Sequence, residues 1–275
     1  MRASAAAGAF LLLLCAAAPA TQGAGGDPWR TLAPGLELGG FPAAAGGGGA
    51  GREITVLRID PKRWELTLHG ISETGERQGR SARAWAAREG LVAAINAGMF
   101  DLDERRHVGY LKDGDHVNSP RPNGYRSVAA FGPLRPGLPP FRIFDLEEAA
   151  IPAIAEQYAS LAQNLRLIAR PGVAKWEPSP KRWSEAALAE DGEGRALFVF
   201  CRAPLSMHEL NARLLALPLG IVAAQHLEGG AEAQLHVRVG DVRLDLTGSH
   251  ETSFNESDLT GVAWPIPNVI GVRAR

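Results

Sequence analysis

Ile221-Val222-Ala223-Ala224-Gln225-His226-Leu227-Glu228-Gly229-Gly230 is an apolar run that ends in one carboxylate and two glycines. The spacing predicts a strand that delivers Glu228 to a sheet edge, with a backbone just beyond it that a ligand can approach closely. The same pattern also suits a buried strand, an ordinary turn and a solvated Glu228. The carboxylate is the first candidate for chemistry, and the rest of the chain decides what surrounds it.

Upstream and downstream of this run, strands come in pairs. Glu53-Ile54-Thr55-Val56-Leu57-Arg58-Ile59-Asp60 is closed by Pro61, and Trp64-Glu65-Leu66-Thr67-Leu68-His69 alternates with period two. Their closeness predicts an antiparallel pair across a short turn. Ser81 to Glu89 reads as a helix stopped by Gly90. Leu91 to Ile95 is a buried strand running into Asn96-Ala97-Gly98-Met99-Phe100. Val108 to Asp115 reads as a hairpin turned at Asp113-Gly114. Asp145-Leu146-Glu147-Glu148 resembles a capping box opening an amphipathic segment to about Leu161, and Ser206-Met207-His208-Glu209 opens a helix to about Ala216. Arg195 to Cys201 is a central strand, followed by short strands near Leu235 to Val239 and Val242 to Leu246. The expected fold class is α+β: a single compact domain with a mostly antiparallel or mixed β-sheet flanked by a few helices.

The 275 residues suffice for one sizeable core. With 29 Lys and Arg against 30 Asp and Glu the net charge is −1, which gives no electrostatic reason to capture nucleic acid or an anionic membrane. Residues 1–20 read as a signal peptide: Arg2, an apolar region around Leu11-Leu12-Leu13-Leu14, and a cleavage site at Ala18-Pro19-Ala20. The apolar run is short for a membrane span, and no transmembrane helix is expected in the mature chain. Leu14 is bulky where a lipoprotein signal places a small residue, so anchoring through Cys15 is not expected. The mature protein is then periplasmic or secreted, with Cys201 as its one cysteine, a buried small hydrophobe without a disulfide partner. Residues 21–51 read as linker and Gly/Ala-rich loop, and residues 52–275 as the folded domain.

Polar residues recur where apolar strands end: Asn96, Asp113, Asn123, Arg166, Glu228 and Asn268. A folded sheet can gather such ends on one rim. Each has an ordinary reading beside the functional one. Asn96 can cap a turn, Asp113 suits a hairpin, Arg166 alternates outward, and Asn268 can bind backbone. The histidines are too scattered for a zinc site, and there is no cysteine pair. No cofactor is expected from motifs, since GxGxxG, Walker and GxSxG patterns are absent. A divalent cation at a carboxylate-rich site stays open.

The order of Ile95 to Phe100, Val108 to Gly114, Arg121-Pro122-Asn123-Gly124, Gln163-Asn164-Leu165-Arg166-Leu167-Ile168, Leu227-Glu228-Gly229-Gly230 and Trp264-Pro265-Ile266-Pro267-Asn268 resembles the phosphodiester glycosidase family over roughly Ile54 to Val272. The family usually carries Asp where this chain has Glu228, and Gly-Ser where it has Ala231-Glu232. The resemblance implies a hydrolase that cleaves a sugar-1-phosphodiester or glycosidic bond in a cell-envelope glycan or exopolysaccharide, around an oxocarbenium-like transition state. The implied catalytic residues are Glu228 and Arg166, the latter as the cation that holds a leaving phosphate. The implied substrate-binding residues are Asn96, Gly98, Asn123, Gln163, Gly229, Gly230 and Asn268, with Glu232 a possible second carboxylate. The alternative is a non-catalytic polysaccharide-binding envelope protein, for which the departures at Glu228, Ala231 and Glu232 speak.

Overall fold

The computed structural model describes residues 27–43, 53–257 and 262–275. Their strands, in chain order, are β1 (Trp29–Ala33), β2 (Leu36–Pro42), β3 (Glu53–Ile59), β4 (Trp64–Gly70), β5 (Ala93–Asn96), β6 (Leu111–Asp113), β7 (His116–Ser119), β8 (Ser127–Pro133) and β9 (Phe141–Asp145). They continue with β10 (Tyr158–Asn164), β11 (Arg166–Ala169), β12 (Val173–Ala174), β13 (Trp183–Asp191), β14 (Ala196–Leu205), β15 (Ile221–Gly229), β16 (Gln234–Val239), β17 (Val242–Thr247) and β18 (Asn268–Ala274). Four helices intervene: α1 (Ile71–Thr74), α2 (Ala82–Glu89), α3 (Ile151–Ala155) and α4 (Met207–Ala216).

The strands form three sheets, ordered β1-β2-β3-β14-β13-β15-β11-β12, β7-β6-β10-β8-β9 and β17-β16-β5-β18-β4. Every pairing within them is antiparallel. Where one sheet was expected there are three, facing a common core. Leu57 and Ile59, Phe131 and Phe141, Phe198, Leu227, Leu235 and Ile270 all point into it. The outer faces need their own covers because neighbouring side chains on a strand point to opposite sides. Met207, Leu210 and Leu214 of α4 cover the eight-stranded sheet. Trp85 of α2 covers the third sheet and Ile154 of α3 the second. β13, sandwiched by core on one side and α4's layer on the other, is buried from Ser184 to Asp191.

Several local expectations hold. Ser81 caps α2 and Gly90 ends it at φ +66°. Ser206 and Glu209 make the reciprocal capping box of α4. Gly114, at φ +54°, turns the β6–β7 hairpin. Cys201 is buried and free, and burial pushes its thiol up to about 12.

Others are corrected. β3 and β4 do not pair: β3 lies between β2 and β14, and β4 pairs with β18. Both send leucines into the central core, but from different sheets. Asp145 does not cap a long helix. It ends β9, only Ile151–Ala155 is helical, and residues 158–164 are strand. Trp29 to Pro42, expected within a linker, forms β1 and β2 at the edge of the large sheet. The signal peptide at 1–20 and the Ala/Gly tract at 44–52 lie outside the described residues. Among the described residues, no helix is long and apolar enough to cross a membrane.

Candidate active site

β15 carries Glu228 to the end of the large sheet, as its sequence predicts. The glycines after it are fixed by two different constraints. A side chain at Gly229 would begin 2.9 Å from Cβ of Trp183 on β13. Gly230 has φ +64°, and its added carbon would lie 3.0 Å from Glu251 Oε2. A 3-10 turn at Gly230–Glu232 follows and brings Glu232 back toward the strand end. Glu251 is held there by backbone: its segment bridges Trp183, and Gly248 packs directly on the Gly230 carbonyl.

Three glutamates thus share one neighbourhood, and their mutual repulsion is felt. Glu228 is partly accessible to solvent yet packed around its carboxyl. Burial pushes its pKa up to about 8, and Glu232 and Glu251 add to the rise. His226 and the Gly229 N–H, which donates to Glu228 Oε1 at 3.0 Å, work against it without cancelling it. Glu232 is raised by burial and then by Glu251 and Glu104. At pH 7 Glu228 therefore holds a proton. Among the described residues, no group of three His, Cys, Asp or Glu side chains is arranged to hold a metal ion.

A loop from the second sheet approaches this carboxyl. Tyr125 precedes β8, and both burial and the charge of Glu228 hold its phenol up. Its hydroxyl donates to Met99 Sδ at 3.8 Å, on the loop after β5. His226 lies two residues before Glu228 on β15, beside an irregularity in the pairing with β13, and each feels the other's charge. Its Nδ1 is 2.9 Å from Oε2 of Glu185 on β13, and both side chains are buried.

The asparagines line the adjoining end of the third sheet. Asn96 Oδ1 accepts from Gln234 N at 3.1 Å, while its Nδ2 has no protein partner. Asn268, beside it on β18, leaves both side-chain polar atoms without one. Gly98, at φ +148°, lies against Asn164 and His107 with no room for a side chain. Asn164 Nδ2 donates to Ala97 O at 2.9 Å. Gly109 N donates to His107 Nδ1 at 2.9 Å, so the ring proton sits on Nε2, toward Asn164. Burial drops His107 to about 4, and it stays neutral.

Gln163, Asn123 and Arg166 take other places. Gln163 is fully buried. Its Oε1 accepts from Tyr110 N and Asn123 N, and its Nε2 donates to the carbonyls of Asn123 and Tyr125. It pins the loop that carries Tyr125 and has no atom to spare for a ligand. Asn123 is exposed and spends its amide on Val108 O and Tyr125 N. Arg166 is closed by Asp145 at 2.6 Å and Glu147 at 3.0 Å, in a small recess with Arg142 and Arg170. The strongest influences on Glu228 include no arginine. Arg166 pairs with Gln225, three residues before Glu228 on β15, but its guanidinium is engaged by two acids from β9 and its following turn.

Glu185, His226, Tyr125 and Glu251 were missed by the sequence reading. Glu185 did leave a sign: a carboxylate inside the otherwise uncharged run Trp183 to Ala189.

Solved structures with this fold include the catalytic domain of zebrafish N-acetylglucosamine-1-phosphodiester alpha-N-acetylglucosaminidase, auto-inhibited by its pro-peptide. It is 13% identical with a TM-score of 0.60, covering 90% of this chain and 86% of that one. A hypothetical protein from Synechocystis is 15% identical with a TM-score of 0.61, covering 91% of this chain and 64% of that one. At these identities the likeness shows the fold alone. No curated protein sequence matches. The sequence profile of the phosphodiester glycosidase family matches residues 89–273, two thirds of the chain and every residue placed around Glu228. The chain belongs to the phosphodiester glycosidase family.

Proposed function

We propose that the protein is an exported hydrolase that cleaves a glycosidic or sugar-1-phosphodiester bond of a cell-envelope or exopolysaccharide glycan, with Glu228 as the proton donor. The observation that carries this is the proton Glu228 holds up to about pH 8. A carboxylic acid that is still protonated at neutral pH can give its proton to a departing sugar oxygen. The anomeric C–O bond breaks, the leaving oxygen takes the Glu228 proton, and water completes the anomeric carbon and returns a proton. Glu232 and Glu251 supply the second carboxylate. The unpartnered Asn96 Nδ2 and Asn268 side-chain amide, both buried at the adjoining sheet end, are polar groups of the kind that meet sugar hydroxyls or an N-acetyl group. Phe254 and Trp264, 65% and 40% exposed, meet edge-to-face at 6.2 Å beside the Glu251 segment and offer a sugar ring a stacking surface.

A proton donor matters most when the leaving group is poor. Glu228→Gln is expected to abolish hydrolysis of alkyl glycosides while sparing part of the turnover of sugar-1-phosphodiesters, whose phosphate leaves with less help. Equal, undiminished turnover of both by the variant would sink the assignment. The binding-protein reading draws on the closure of Arg166 and on the exposed aromatic pair. It predicts that wild type and Glu228→Gln bind a glycan equally and release no product.

A further inference from the structure

We propose that Glu185 and His226 act as a buried ion pair that positions a fixed positive charge near Glu228, ready to stabilise the carboxylate left when Glu228 gives up its proton. This rests on Glu228 being the proton donor.

The geometry restricts what the pair can be. Glu185 is 0% exposed and His226 3%. An ionised carboxylate in such a place costs several kcal/mol unless a cation compensates it. The group near enough to compensate Glu185 is the imidazole 2.9 Å away, and neither Glu185 oxygen has a well-aligned hydrogen-bond donor. The two residues therefore carry one proton between them. Burial raises the Glu185 carboxyl while the imidazole pulls it back down, and we assign the shared proton to the imidazole, the stronger base. Burial alone would strip it, but attraction to the Glu185 carboxylate and an imperfectly aligned hydrogen bond with it act together against burial and raise the imidazole.

The strand pattern then brings the pair near Glu228. Glu185 and Ala187 on β13 lie opposite Gly229 and His226 on β15, across a register shift. The extra residue that β15 carries at this shift breaks simple alternation, and the imidazole, 2.9 Å from Glu185, is close enough to Glu228 for each to feel the other's charge. The titratable groups around it are few among the described residues. Cys201 on β14 feels Glu185, and its thiol stays protonated. Glu228 itself follows on β15, with Glu232 and Glu251 beyond it. The surroundings of Glu228 thus combine acids, which keep its proton on, with a cation, which eases its departure. A lone buried glutamate has the first property without the second.

The test needs no substrate. In wild type, 15N-labelled His226 is expected to show the imidazolium shift pattern at pH 7, and the 13C carboxyl resonance of Glu228 to titrate near pH 8. His226→Gln removes the charge, and Glu185→Gln removes what keeps it. Both are expected to raise the Glu228 midpoint by roughly one pH unit or more. The double variant is expected to rise no further, because the pair acts as one unit. A neutral His226 in wild type at pH 7 overturns the proposal even if neither variant folds. So does a Glu228 midpoint that stays in place in both folded variants, or additive shifts in the double variant. Loss of the functional reading is separately visible: Glu228→Gln retaining full hydrolysis refutes the proton-donor role, whatever the titrations show.

Discussion

Replacing Glu228 with Gln should make the protein more stable, increasingly so as pH rises. In the unfolded chain a glutamate gives up its proton near 4.5, whereas in the fold Glu228 keeps it up to about 8. Between those values the unfolded state binds one proton fewer. Stability is therefore full below pH 4.5 and falls by about 1.4 kcal/mol per pH unit until the folded group ionises. The shift of roughly 3.5 units corresponds to ~5 kcal/mol, and solvent reaching the carboxyl trims it to ~3–5 kcal/mol. Gln can still accept the Gly229 N–H bond and has no proton to lose. The two proteins should match near pH 4.5 and diverge by about 10 °C in Tm at pH 8.5. Urea denaturation and calorimetry at half-unit pH steps read this directly. Parallel curves for wild type and Glu228→Gln from pH 5 to 8.5 would refute the account of Glu228 as a neutral buried acid.

Gly230→Ala places a side chain at φ +64° against Glu251, and urea denaturation should show a loss of ~1–3 kcal/mol together with a raised KM. Gln163→Leu strands three backbone groups of the Tyr125 loop and the Tyr110 N–H; we expect ~3 kcal/mol of destabilisation and faster proteolytic cleavage at residues 120–126. Arg166→Met leaves the largely buried Asp145 unpaired, costing ~2–4 kcal/mol, but kcat per folded molecule should stay within about twofold of wild type. A much larger drop in kcat would restore Arg166 to the catalytic set.

What could be read from sequence was local chemistry. Ser206 with Glu209, Ser81 with Gly90, and Asp113-Gly114 announce a helix start, a helix span and a hairpin through interactions a few residues long. The strand that ends at Glu228 was legible because its apolar run stops at a carboxylate followed by two glycines. What failed depended on partners far along the chain. Nothing near Arg166 says that Asp145 will meet it. The nearness of β3 and β4 argued for pairing, and only the competing edge of β14 and the arrival of β18 decide otherwise. Glu185 looked like an irregularity in a strand until β15 placed His226 opposite it. The weak alternation and paired glycines of Trp29 to Pro42 hid two strands that draw their order from β3.

The position of β18 has a consequence for how the chain matures. This strand lies inside its sheet, with β5 on one side and β4 on the other. Strands formed some 170 to 200 residues earlier in the chain must wait with unpaired edges until residues 268–274 arrive between them. Such long-range closure is slow and leaves the half-made sheet prone to mispairing. A chain growing from its N-terminus cannot complete the Asn96–Asn268 side of the site until this strand has been released. Hydrolytic competence should then appear in a single late step, and a chain stopped before residue 268 should be captured by chaperones rather than fold to a weakened enzyme.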